Sequence, residues 1–313
     1  MELVSGRFPT IHFIGVSTKQ SSIMNVFPSW AKELGLGDVS INGVDLPLHA
    51  RPELYQEVVT FIRNDTNSNG ALVTTHKIDL FSAAHRLFDE LDWFAASMHE
   101  VSSISKRDGK LVGQAKDPVS AGRTLTGLIP GGFWPANGGD VFCMGSGGAG
   151  VAITWFLLKG EHGLGRPARV FVSDVSVERL NHLAALVDSP ELKTSLVTDS
   201  AGNDRILESL PDKSLVINAT GLGKDRPGSP ISERSRFPSG AVVWELNYRG
   251  ALDFLRQARQ QASERRLEIH DGWEYFIHGW TGVIADVFHV EISNDTKTFQ
   301  RLAEVAARAT GRK

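Results

Sequence analysis

Two periods alternate along this chain. Short apolar runs of strand length stand at residues 10–16, 39–46 and 70–74, and between them residues 26–34 and 53–63 repeat their apolar positions at helical spacing. A second series opens at Asp140. Strands are predicted at residues 140–144, 168–173, 214–218 and 241–248, with an apolar helix at 151–158 and a helical pattern over 283–308. Strands alternating with helices predict an α/β protein, with a doubly wound parallel sheet over residues 140–250 and a smaller α/β segment before it. The Gly- and Pro-rich stretch 130–139 is expected to be the longest loop and to separate two functional halves.

The strongest local signal lies in the second series. A buried strand runs into Gly145-Ser146-Gly147-Gly148-Ala149-Gly150 and then into the apolar helix, the setting a G-x-G-x-x-G turn requires. Gly145 permits the tight turn, Gly147 leaves room for a diphosphate, and Gly150 lets the helix approach the sheet. Free N–H groups at the helix start receive the phosphates. These features predict a doubly wound, Rossmann-type domain. The next strand ends at Asp174, whose carboxylate is expected to accept hydrogen bonds from the adenosine ribose. No arginine follows immediately, so the expected cofactor is NAD rather than NADP. Thr220 and Gly223, after the strand at 214–218, are candidates to line the nicotinamide pocket.

Composition narrows the class. The 41% hydrophobic and 22% charged content is that of an ordinary globular protein, and a formal net charge of -3 gives no general attraction to nucleic acid or anionic membranes. The lone Cys143 excludes an intramolecular disulfide and reads as an inert core residue. No apolar stretch is long enough to cross a bilayer, and residues 1–10 lack the apolar run of a signal peptide, so a cytoplasmic location is expected. His12, His49, His76 and His278 lack metal-ligand spacing, and no metal is expected. The expected partner is a small-molecule substrate, with the chain a monomer or homodimer.

In the first half, the third strand leads into Thr74-Thr75-His76-Lys77, and Asp117 ends the segment Gly113-Gln-Ala-Lys-Asp. From spacing alone each charge is equally a surface residue. Taken in order, however, five segments resemble the shikimate/quinate dehydrogenase family. Residues 70–77 look like its segment ending in Pro-His-Lys, and residues 108–117 like its Asp-Gly-Lys-Leu-x-Gly-x-Asn-Thr-Asp. Residues 145–150, 217–223 and 271–279 follow its glycine turn, its Ile-Asn-Ala-Thr-x-x-Gly and its Asp-Gly-x-x-Met-Leu-x-x-Gln. The resemblance implies two α/β domains with a cleft between them: residues 1–118 plus 275–313 for substrate and catalysis, and 119–274 for the dinucleotide. It implies that Lys77 and Asp117 are the catalytic pair, with Lys77 exchanging a proton with the substrate hydroxyl and Asp117 holding it in place.

The departures from the family pattern fall in the substrate pocket. Of its Ser-x-Ser pair, aligned with Lys19-Gln20-Ser21, only Ser21 remains. Its Asn-Val-Thr becomes Ala71 to Val73, and the proline before the histidine becomes Thr75. Two asparagines become Ser102 and Ala115, and the glutamine becomes Gly279, beside Trp280. Tyr248 matches a family tyrosine near the substrate, and Glu245 replaces the usual aspartate. Aromatic Trp273, Tyr275, Phe276 and Trp280 read more readily as helix packing than as a pocket wall. Four or five lost hydrogen bonds would weaken shikimate binding by roughly 4 to 7 kcal/mol. Lys19, Ser21, Val73, Thr75, Ser102, Tyr248 and Gly279 are thus the substrate-site candidates of an enzyme acting on a different hydroxyl or keto compound. The rival readings are a true quinate or shikimate dehydrogenase with a rebuilt pocket, and a dinucleotide sensor without turnover.

Overall fold

The computed structural model describes residues 3–312 except Asp225 and Asn294, so Met1 and Glu2 of the N-terminal stretch lie outside the described residues. The chain divides into two compact units, one made of Met1–Lys116 with Ile277–Lys313 and the other of Asp117–Phe276.

The first unit begins β1 (Thr10–Gly15), α1 (Ile23–Glu33), β2 (Ser40–Asp45), α2 (Pro52–Asn64) and β3 (Ser68–Val73). It continues with α3 (Lys77–Ala84), β4 (Glu90–Leu91), α4 (Trp93–Met98), β5 (Ser103–Arg107) and β6 (Lys110–Gln114). The six strands form one sheet in the order β2-β1-β3-β5-β6-β4. β1, β2 and β3 run parallel, whereas β5 is antiparallel to both β3 and β6. The apolar periods found in the sequence are the buried faces. Tyr55, Val58, Val59 and Ile62 of α2 are spaced at helical intervals and pack with Ile14, Val44, Ala71 and Val73 of the strands. Asp92 caps α4 by accepting from the Ala95 N–H at 2.7 Å.

The second unit holds α5 (Asp117–Leu128), α6 (Phe133–Asn137), β7 (Val141–Met144), α7 (Gly148–Lys159), β8 (Val170–Asp174), α8 (Val177–Val187) and β9 (Leu192–Leu196). It closes with α9 (Ser200–Glu208), β10 (Leu215–Asn218), β11 (Val242–Glu245), α10 (Asp253–Arg265) and β12 (Glu268–His270). Its sheet is parallel throughout, in the order β12-β11-β10-β7-β8-β9. The order reverses between β7 and β10, the crevice where open α/β sheets take their ligands. The expected loop at 130–139 is in part helix: Phe133 and Trp134 are buried, and this apolar pair winds α6 within the second unit.

Two helices complete the chain, α11 (Trp273–Phe288) and α12 (Thr296–Thr310). The single helical pattern expected over 283–308 is therefore broken. His289 adopts a left-handed φ of 53° and its Nε2 bonds the Lys106 carbonyl at 2.7 Å, while Asp295 caps α12 by accepting from the Thr298 N–H. Trp30 of α1 donates through Nε1 to the Leu302 carbonyl at 2.8 Å, tying α12 into the first unit.

His12 on β1 makes the first unit sensitive to acid. It is 1% exposed, lies edge-on to Phe61 at 5.5 Å, and its Nε2 has no hydrogen-bond partner. Burial lowers its pKa to about 4; Asp65 opposes the shift and Lys106 adds to it. The folded state therefore stays neutral where the unfolded chain takes up a proton. Stability present above the ordinary histidine value of about 6.5 is lost as the pH falls towards 4, by about 3 kcal/mol in all. Urea unfolding of wild type and His12→Leu across this window should show the steeper fall in the wild type; parallel curves would exclude His12 as the cause.

Candidate active site

On the second unit the site is built around the end of β7. Met144, Asn218 and Glu245 stand opposite one another at the carboxyl ends of β7, β10 and β11. Gly145 follows with φ +103°, and a Cβ there would come within 2.7 Å of the Ala219 carbonyl oxygen. A Cβ on Gly150 would lie 2.0 Å from the Gly145 carbonyl oxygen, so only glycine lets α7 start this close to the strand. Gly147 differs. It is the N-cap of α7, and a Cβ there would meet nothing within 4 Å. The hydroxyl of Ser146 is buried and without a partner. Free space at Gly147, unpaired N–H groups in the first turn of α7 and an unused hydroxyl together fit a diphosphate.

Asp174, at the end of β8, points back to this turn. Its Oδ2 accepts from the Ser146 N–H at 2.6 Å and its Oδ1 from the Ser176 N–H at 2.9 Å. The cap of α8 is Ser176, whose hydroxyl accepts from the Arg179 N–H. Beside β7, the turn after β10 is held by side chains: Asn218 Oδ1 accepts from the N–H and the hydroxyl of Thr220, and Thr220 Oγ1 accepts from the Leu222 N–H. Gly223 closes it at φ +86°. The glycine turn, Asp174, Thr220 and Gly223 thus sit along one sheet edge. Cys143 is fully buried, and burial with Asp174 nearby pushes its thiol up to about 12, an inert state.

On the first unit Val73, Ser102 and Lys77 lie around the carboxyl end of β3, and Asp117 begins the second unit directly after Lys116. The Val73 N–H donates to the Ser102 carbonyl, and the Ser102 N–H donates to that of Gln114, each at 2.9 Å. Ser102 Oγ accepts from the Lys116 N–H at 2.7 Å, and the Lys77 carbonyl accepts from the Val101 N–H at 3.1 Å. Ser102 therefore joins the segment carrying Lys77 to the one that delivers Asp117. Lys77 opens α3 and Asp117, 6% exposed, opens α5. Thr75 has φ +51°, and the His76 N–H turns back to the Thr74 carbonyl. Proline, locked at a φ of about -65°, cannot take that conformation, so this turn cannot be the Pro-His-Lys turn of the family pattern. A β-branched residue at positive φ also marks a strained position. Burial lowers the pKa of His76 and keeps the ring neutral, with Nδ1 at 3.1 Å from the Tyr55 hydroxyl.

The substrate candidates fall into four places. Lys19 is exposed on a single 3-10 turn, Thr18–Gln20, and Ser21 behind it is buried. Gly15 brings this turn close to β3, since its Cβ would lie 3.3 Å from Thr18 and 3.2 Å from Thr74. Val73 is fully buried and Thr75 exposed. Gly279 on α11 has open space where a Cβ would stand, while Trp280 is buried edge-on to Phe13 at 5.0 Å. Tyr248, in the second unit, packs on Trp273 and Phe276 with ring centres at 5.6 and 4.6 Å.

Two groups escape the sequence reading. Lys116 Nζ pairs with Asp286 at 2.6 Å, both largely buried, and the Ser103 hydroxyl donates to the same carboxylate oxygen at 3.3 Å. Only the charge at 116, where the family has threonine, hinted at this pair, and its partner lies far along the chain. The other group is Glu245, fully buried and hydrogen-bonded to Asn218 and Asn247. No cluster of metal-binding side chains occurs among the described residues, nor is any helix long and apolar enough to cross a membrane.

Comparison with known proteins adds to this geometry. No protein-family model matches the chain. The shikimate dehydrogenase (NADP(+)) of Pyrococcus furiosus is 28% identical over 211 residues, covering 64% of this chain and 68% of that protein. Shikimate dehydrogenase from Aquifex aeolicus shares the fold with a TM-score of 0.71 at 18% identity, covering 98% of this chain and 99% of its own. The Thermus thermophilus enzyme, solved with NADP(H) and shikimate, gives 0.68 at 22% identity, with 96% and 99% covered. The expectation of NAD is corrected by these relatives, which use NADP. The physical reason lies in Asp174: its two oxygens are bound to backbone N–H groups of the protein, so the residue type alone did not reveal a free acceptor for the ribose. The predicted α/β fold with two sheets is the one observed, and in sequence the chain is similar to shikimate dehydrogenases, whose fold it shares.

Proposed function

We propose that this chain is an NADP-dependent oxidoreductase that interconverts a hydroxyl and a keto group on a small compound related to, but distinct from, shikimate. The observation that carries this is the glycine turn at the reversal of the parallel sheet, with Gly147 open and Gly145 and Gly150 closed against backbone. The nicotinamide, when bound, supplies the hydride chemistry. This chain's residues do the rest. The first-turn N–H groups of α7 and Ser146 hold the diphosphate, and the Thr220–Gly223 turn holds the nicotinamide end. Arg179, in the first turn of α8, is the cation next along the chain from Asp174 and suits the 2′-phosphate.

Lys77 exchanges the proton of the reacting hydroxyl, and Asp117 is its partner. Such a pair has no use in a protein that only binds a dinucleotide. The substrate reading rests on the residues that replace the family's polar pocket groups: Ser102 spends its hydroxyl on the Lys116 N–H, Val73 is sealed in the core and Gly279 offers no donor. Shikimate would leave hydroxyls unpaired there, at about 1 kcal/mol or more each. The test is absorbance at the NADPH band with purified protein, NADP or NAD, and a panel of shikimate, quinate, other hydroxy acids and cyclic alcohols. Turnover of a panel member above that of shikimate supports the reading. Efficient shikimate turnover would restore the rebuilt-pocket alternative, and cofactor binding without turnover of any panel member would favour a sensor.

A further inference from the structure

Glu245 is the most deeply buried acid at the carboxyl edge of the second sheet, and the proton transfer assigned to Lys77 makes no use of it. It stands in register with Asn218 and Met144, with β10 between it and the glycine turn. Its Oε2 accepts from Asn218 Nδ2 at 2.7 Å, and its Oε1 accepts from the N–H and Nδ2 of Asn247 at 2.8 and 2.7 Å. These two asparagines hold the turn that follows β10. Asn218 binds both donors of Thr220, and Asn247 Nδ2 also donates to the Leu222 carbonyl at 3.1 Å. The Ala219 N–H in turn donates to the Met144 carbonyl at 2.8 Å, immediately before Gly145. The carboxylate thus orients two amides, and the amides fix the conformation of residues 218–222.

We propose that ionised Glu245 is a positioning residue that locks the Thr220 turn for the dinucleotide and makes cofactor affinity depend on pH. The inference rests on reading the glycine turn as the dinucleotide site. All three bonds to Glu245 require an acceptor. A protonated carboxyl turns one oxygen into a donor, facing amide N–H groups that also donate, so the asparagines and the turn they hold are released.

Burial pushes the acid up, Asp271 adds to this and the asparagine bonds oppose it, leaving it at about 7. On the flanking strand β12, His270 and Glu268 pair with each other at 2.9 Å, and on α10 Arg256 pairs with Asp253. Arg249 follows Tyr248 in the same loop. A turn that binds best when Glu245 is ionised lowers that pKa in the complex, so affinity weakens as the pH falls through the value of the free protein.

The test is NADPH binding by fluorescence between about pH 6 and pH 8, on wild type, Glu245→Gln, Glu245→Asp and Gly147→Asp. The 2′-phosphate titration is common to all and cancels in ratios between variants. The wild-type Kd should rise about fivefold towards the lower pH, the fall expected for a pKa lowered by about one unit on binding. Glu245→Gln should bind about tenfold more weakly at the higher pH and lose this slope, while Glu245→Asp keeps a slope. Should Glu245→Gln fail to fold, the wild-type and Glu245→Asp curves decide: two flat curves overturn the proposal. A Gln variant with the wild-type Kd and slope overturns it as well, provided Gly147→Asp has lost binding. If Gly147→Asp binds NADPH normally, the dinucleotide reading fails first.

Discussion

Replacing Lys77 with alanine is expected to lower turnover by about 10²- to 10⁴-fold, the range for loss of a positioned proton-transfer group, while NADPH affinity is unchanged. The residue opens α3 and lies in the first unit, whereas the glycine turn belongs to the second. The backbone around it is held independently of its side chain: the Lys77 carbonyl binds the Val101 N–H, and Ser102 ties that strand to β3 and β6. The effect should therefore appear in kcat rather than in Tm. Steady-state rates beside NADPH fluorescence titration would check it. A variant retaining more than a tenth of wild-type kcat would remove Lys77 from the proton step.

Gly150→Ala is expected to act on the fold itself. The added methyl would stand 2.0 Å from the Gly145 carbonyl oxygen, a backbone atom held in turn by the Ser173 carbonyl, which accepts from the Gly145 N–H at 2.7 Å. Neither partner is a flexible side chain, so α7 must move off the sheet. A cost of about 3 kcal/mol, at the upper end for an overpacked core, lowers Tm by roughly 10 °C. Gly147→Ala is the matched control, because its methyl meets no atom within 4 Å. It should leave Tm unchanged and weaken NADPH binding where the diphosphate approaches the backbone. Calorimetry and cofactor titration of the two variants separate the roles. Equal effects on Tm would mean that the two glycines are not divided between packing and binding in this way.

Much of the frame was legible because it is written in local periods. The helical spacing of Tyr55, Val58, Val59 and Ile62 predicts α2, and the run from Asp140 through Gly150 predicts β7, its turn and α7, as found. Where a local pattern met a tertiary demand, the reading failed. Residues 283–308 look like one helix until His289 bonds the Lys106 carbonyl and Asp295 caps a new one. Residues 130–139 look like a loop, but burial of Phe133 and Trp134 winds a short helix. Strands β4, β5 and β6 were not expected at all. Their sequences, among them Ser103–Arg107 and Lys110–Gln114, are short and polar on one face, and pairing of β5 with β3, β6 with β5 and β4 with β6 settles their state.

The same division holds for chemistry. Sequence alone determined which residue types stand at the ends of the strands: Lys77, Asp117, the glycines of residues 145–150 and Thr220. It could do so because strand ends and glycine turns are set by neighbours a few residues apart. Only the tertiary structure decided what those residues touch. Asp174 reads as a free acceptor until its two oxygens are seen bound to the Ser146 and Ser176 N–H groups. Lys116 carries no signal of its partner in the sequence, yet Asp286, 170 positions later by number, is found at 2.6 Å from its Nζ. Glu245 reads as a plain replacement for aspartate until burial and two asparagines make it the clasp of a turn. Charge and hydrogen bonding depend on distance in space, and no period in the chain encodes which distant carboxylate will be brought within 3 Å of a given amine or amide.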